Sequence, residues 1–133
     1  MRTAKITLAV AALSLLLAAP ASADVNLTCM VTAVEKRDNA VITAWDTFST
    51  SMRTALETRR DSLKSAWADA NRATRRASIK NAWKTFRNSR KSAWKTRRSS
   101  IRSAWTTFNS ERKACGAQSA DESGTQAQDL SVE

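Results

Sequence analysis

Seven cationic side chains recur along one stretch of the chain at spacings of 4, 3, 4, 4, 3 and 4 residues: Lys80, Lys84, Arg87, Lys91, Lys95, Arg98 and Arg102. That spacing keeps all seven on one face of an α-helix. Between Asp69 and Glu111 the sequence contains no acidic residue, so the stripe has no local partner to neutralise it. The chemistry open to it is capture of phosphates or other anionic groups, with nothing to read a base sequence. Tryptophans run beside it. Trp83–Arg87 and Trp94–Arg98 stand four residues apart, where a guanidinium can lie over an indole. Asn81, Thr85, Asn88, Ser89, Ser92, Thr96, Ser99 and Ser103 make up the remaining face. A helix with adjoining aromatic, cationic and hydroxyl strips suits a polyanion or an anionic interface.

Other chemistries lack their residues. The 133-residue chain has no His and only two Cys, which excludes the usual zinc sites and histidine-based triads. No Gly-rich phosphate loop, nucleophile elbow or metal-ligand cluster is present. Glu35, Asp38, Asp46, Glu57 and Asp61 are scattered among bases, as in surface ion pairs. The sequence therefore predicts a non-enzyme without catalytic residues, cofactor, metal or small-molecule substrate.

The elements that position the stripe follow from an internal repeat. Blocks of eleven residues align on an Ala-Trp dipeptide: VITAWDTFSTS from Val41, MRTALETRRDS from Met52, LKSAWADANRA from Leu63, IKNAWKTFRNS from Ile79, RKSAWKTRRSS from Arg90 and IRSAWTTFNSE from Ile101. A weaker copy, MVTAVEKRDNA, starts at Met30. The fourth position is Ala in every block, from Ala33 to Ala104. The fifth holds all five tryptophans of the chain: Trp45, Trp67, Trp83, Trp94 and Trp105. Positions one, five and eight fall on one helical face, and eleven residues over three turns keep that seam nearly straight. The small alanine beside each indole lets a second helix approach closely. Arg59, Arg90 and Arg97 interrupt the seam, so they must snorkel, meet acids such as Asp61 or Glu57 across the hairpin, or mark a groove.

The register slips once, through five residues inserted at Thr74–Ser78. In an unbroken helix these would swing the seam by about 140°, and a turn removes the conflict. Cys29 and Cys115 bracket the repeats, and their midpoint, residue 72, lies beside the slip. Residues 21–115 contain neither Gly nor Pro. The predicted fold is all-α: an antiparallel two-helix hairpin of 11-residue (hendecad) repeats, closed by a Cys29–Cys115 disulfide. The boundaries read 24–115 for the hairpin, with helix one over about 30–70, a turn over about 71–77 and helix two over about 78–114. Asn71 would end helix one and Ser78 would cap helix two. A bridge over that separation contributes about 4–5 kcal/mol in the chain-entropy account. One bent helix with intermolecular disulfides is the competing arrangement. Five tryptophans exceed what one contact between two helices needs, so some are exposed in a monomer or buried in a dimer forming a four-helix bundle.

Both ends of the chain differ from the repeats. Residues 1–23 read as a secretory signal peptide: Arg2 and Lys5, an apolar run from Ile6 to Ala19, then Ala21-Ser22-Ala23 before Asp24. The expected location after cleavage at Ala23–Asp24 is secreted or periplasmic, where a disulfide persists. Residues 116–133 carry four acidic and no basic or aromatic residues and read as a disordered acidic tail. The tail is either inert or an internal competitor folding over the basic face.

Taken together, these features predict sequence-independent binding of an anionic polymer such as DNA, lipopolysaccharide or another envelope polymer. A membrane-active Trp/Arg-rich amphipathic protein on an anionic surface is the second expectation. A structural helical spacer or periplasmic holdase-like protein is the third.

Overall fold

The computed structural model describes residues 24–131. The signal segment expected over 1–23 lies outside the described residues, as do Val132 and Glu133. Two long helices, α1 over Leu27–Ala68 and α2 over Arg72–Ala114, pack against each other as an antiparallel hairpin. At 1.5 Å per residue each is about 63 Å long. Among the described residues there is no strand, and no helix is long and apolar enough to cross a membrane. The Cys29–Cys115 disulfide closes the end opposite the turn, with the two Cα atoms 5.6 Å apart.

The turn lies earlier than the phase slip suggested. It occupies Asp69–Asn71, and residues 72–78 form the first two turns of α2 rather than a loop. Local capping explains the difference. The Asn71 side chain accepts hydrogen bonds from the Ala73 and Thr74 amides, so Asn71 begins α2 instead of ending α1. The Asp69 carboxylate accepts from the Asn71 amide and caps the reversal from the other side. Ser78, expected to cap helix two, lies inside α2. Three residues suffice to reverse the chain, and the inserted residues then extend α2 backward in its own register. Arg72 and Arg75 thus fall eleven residues before Trp83 and Phe86.

The hairpin's core is a line of small side chains. Ala33, Ala44, Ala55 and Ala66 of α1, with Ala82, Ala93 and Ala104 of α2, are all buried. Larger apolar groups flank this line on one side. Serines and threonines of both helices, among them Thr47, Thr54, Ser92 and Thr96, line the groove on the other. The hydroxyl strip of α2 therefore faces hydroxyls of α1 over an alanine floor. The largest fully buried side chains, Arg97, Ile101 and Phe108, all lie toward the disulfide end.

The described chain after α2, as far as Ser131, is folded, in contrast to the disordered tail expected from composition. Gly116 takes a positive φ of 85°. Its amide donates to Lys113 O and the Ala117 amide to Arg112 O, a pair of bonds that ends α2 and turns the chain back. A single helical turn at Ser119–Asp121 and a short helix, α3 over Gln126–Ser131, then run back against α2.

Candidate polyanion and aromatic–arginine surfaces

The seven stripe residues Lys80, Lys84, Arg87, Lys91, Lys95, Arg98 and Arg102 are exposed and lie on α2. The ion pairs of the described residues are Lys36–Glu111, Arg37–Asp38, Arg37–Glu122 and Arg60–Asp61, and none involves the stripe. A shallow concavity of about 1010 Å³ lies between Arg87, Lys91, Trp94, Lys95, Arg98 and Arg102. From Lys80 to Arg102 the stripe covers about 33 Å of helix axis. A polymer with closely spaced negative charges can follow it over that length.

The five tryptophans differ sharply in surroundings. Trp105 is 6% exposed and Trp45 and Trp94 are half-buried, whereas Trp83 is 41% and Trp67 68% exposed. Trp67 and Trp83 are exposed in the single chain, and the seam forms a lateral groove, because the alanines bring the helices together and push the indoles aside.

Arg97, Arg59 and also Arg37 are fixed by rings, whereas Arg90, the other arginine expected to interrupt the seam, is exposed. Arg97 lies between Trp45 and Trp94, its guanidinium carbon 4.0 and 4.1 Å from the two centroids. Arg37 stacks on Trp105 and Phe108 at 4.7 and 4.4 Å, and Arg59 on Trp83 and Phe86 at 4.6 and 4.3 Å. Asp61, expected as a partner for the seam, is held by its neighbour Arg60 instead. Of the two anticipated stacks within α2, Arg98 over Trp94 forms at 5.9 Å, while Trp83 receives Arg59 from across the hairpin.

An antiparallel pairing rule runs through these contacts. Wherever one helix offers Phe at the eighth position of a block, the facing block offers Arg: Arg37 with Phe108, Phe48 with Arg97, Arg59 with Phe86. Each guanidinium finds an aromatic face, and two arginines never share a layer of these three. The information is in the sequence, but it becomes visible only when the blocks are paired in reverse order.

The tail docks into this groove at the disulfide end. Glu122 accepts from Arg37 at 2.9 Å, and the Trp105 indole N–H donates to Asp129 at 2.6 Å. Arg97 donates to the Leu130 carbonyl at 3.3 Å, and the Leu130 side chain packs on the cluster of Ile101, Trp105 and Phe108. Glu122 also accepts from the Gly124 amide, and that bond, ahead of Arg37, holds its carboxyl below the ordinary carboxylate range. Burial lowers the pKa of Arg37, but its hydrogen bonds to Asp38 and Glu122, together with the charges of those two carboxylates, outweigh that cost and raise it. The tail therefore covers the aromatic–arginine groove, not the cationic stripe. Among the described residues no group of three or more acidic or cysteine side chains gathers into a metal cage.

Set against known proteins, the chain matches no family model, no curated protein and no solved structure.

Proposed function

We propose that this is an exported, non-enzymatic protein that binds an anionic polymer along α2, without regard to sequence. The polymer lies along Lys80, Lys84, Arg87, Lys91, Lys95, Arg98 and Arg102, and Asn88, Trp94 and Ser99, which line the same concavity, add contacts to its backbone. The observation that carries this reading is that seven exposed cations share one face and none has an acidic partner among the ion pairs of the described residues. A solvated face that only kept the chain soluble would be interspersed with acids. The burial of every fourth-position alanine supports the hendecad packing that holds the stripe straight. The disulfide supports residence in a secreted or periplasmic setting, the location expected after cleavage at Ala23–Asp24.

The test is a titration of double-stranded DNA into the oxidised chain from Asp24 to Glu133, followed by tryptophan emission at salt stepped from about 50 to about 300 mM. Seven neutralised phosphates give a log–log slope near −6, at about 0.9 per contact. Changing Lys84, Lys91 and Lys95 together to Glu should weaken binding and flatten the slope by roughly 3. Absence of binding at the lowest salt, or binding that ignores salt, would sink the proposal.

A further inference from the structure

The groove that holds the tail is built twice. Moving 22 residues along α1 and 22 back along α2 is the same displacement along the hairpin axis, because the helices are antiparallel. It carries Arg37 to Arg59, Trp105 to Trp83, Phe108 to Phe86, Ile101 to Ile79, Trp45 to Trp67 and Arg97 to Arg75. The geometry is carried over too. Arg37 lies 4.7 and 4.4 Å from its two rings and Arg59 lies 4.6 and 4.3 Å from the corresponding two. Arg75 faces Trp67 at 5.7 Å where Arg97 faces Trp45 at 4.0 Å.

What differs is the cover. Over the first site lie Glu122, Asp129 and Leu130, and Trp105 is 6% exposed. Nothing in the described chain lies over the second, where Trp83 is 41% exposed and Leu56, the counterpart of Val34, is 42% exposed. In the second site Arg72 stands where the first has Trp94, which adds a cation.

We infer that this second site docks a segment of another protein with the chemistry of the tail: an acidic peptide bearing two carboxylates about one short helix apart, the second followed by leucine. One carboxylate would pair with Arg59 as Glu122 does with Arg37. The other would accept from the Trp83 indole N–H as Asp129 does from Trp105, and the leucine would cover Ile79 and Phe86. Continuity with the intramolecular interface and the cationic rim at Arg59, Arg72 and Arg75 select a peptide of this kind. The site lies on the aromatic groove, apart from the proposed polyanion stripe, so the two readings stand or fall separately.

The probe is a fluorescent synthetic peptide of residues 116–131, titrated by anisotropy into the oxidised chain from Asp24 to Glu133 with its own tail intact. Saturable one-to-one binding is expected. Arg59→Gln should weaken it at least fivefold with helicity unchanged by circular dichroism, and Arg37→Gln should not. A peptide carrying Glu122→Gln and Asp129→Asn should bind at least tenfold more weakly, a readout independent of any folding defect in the protein. The triple change of Lys84, Lys91 and Lys95 to Glu should leave peptide affinity within about twofold. Failure of the peptide to bind overturns the inference. So does loss on Arg37→Gln but not Arg59→Gln, which would mean that the probe only displaces the resident tail. Arg59-dependent binding of an oligonucleotide or an anionic vesicle in place of the peptide, or a Trp83-dependent dimer that excludes it, would assign the surface to that occupant instead.

Discussion

The two halves of the hairpin are made from the same repeated blocks and end in different states. Toward the disulfide, Arg37, Arg97, Trp105 and Phe108 are enclosed by the returning tail, and the few fully buried large side chains are found there. Toward the turn, Arg59, Trp83 and Phe86 adopt the same stacking without cover, and Trp67 stands 68% exposed. Charge follows the same division. Residues 56–91 contain eleven Lys and Arg against three Asp and Glu, whereas the remaining described residues contain nine against eight. A pair of helices sharing a line of alanines has too little width to bury its own tryptophans. A third segment, however short, decides which part of the seam becomes interior.

The disulfide should have the largest effect on this contrast. Replacing Cys29 and Cys115 together by Ser removes about 4–5 kcal/mol in the chain-entropy account, a fall in Tm on the order of 20 °C or more. It should also erase the difference between the halves. Cys115 and Gly116 set the point from which the tail returns, and the Cys115 carbonyl accepts from the Asn26 amide at the entry to α1. Thermal circular dichroism measures the first effect. Hydrogen exchange over 27–48 and 97–115 measures the second, and unchanged protection there would show that the tail alone maintains the closed half.

A matched pair of truncations sharpens the comparison at the level of single side chains. Phe108 is 1% exposed, while its counterpart Phe86, 22 residues earlier, is half-buried. Phe108→Ala is expected to cost about 3–5 kcal/mol and Phe86→Ala about half of that, because solvent fills part of the second cavity. Urea denaturation of the two variants gives the values. Equal losses would mean that the tail adds no burial in solution.

The smallest effect is the response of the tail to acid. The Glu122 carboxyl is held below its ordinary value of 4.5, first by the Gly124 amide and then by Arg37. Its contribution to tail docking is therefore complete above pH 4.5 and is lost as the pH falls through the depressed folded value. The indole N–H resonance of Trp105, donated to Asp129, should shift in that acid window, while that of Trp83 stays in place. Glu122→Gln should remove the contribution of Glu122 to the transition. A shift of equal size at Trp83 would show a general response of the hairpin instead.

Much of this architecture could be read from residue types and spacing. The absence of Gly and Pro from 21–115, the repeated Ala and Trp positions and the symmetric placement of Cys29 and Cys115 suffice for two long antiparallel helices closed by a bridge. The exposure of the stripe from Lys80 to Arg102 also follows from spacing, because lysine and arginine at helical period on the face opposite a partner have nowhere to go but water. All of these are properties of one helix at a time or of the ends of the chain.

What only the tertiary structure decided depends on which residues meet across the hairpin. The turn fell at Asp69–Asn71 because side-chain caps at Asp69 and Asn71 are stronger local signals than a slip in periodicity. That three-residue turn sets the register, and the register places Arg37, Arg59 and Arg97 against rings, leaving Arg90 exposed. Burial went to alanine rather than tryptophan because close approach of two backbones leaves no room for an indole between them. The tail has the composition of a disordered segment, yet it is ordered by four contacts at Arg37, Trp105, Arg97 and Leu130 that exist only once the helices are paired. Composition averages over a segment, whereas docking depends on a few groups meeting a surface that no single stretch of sequence contains.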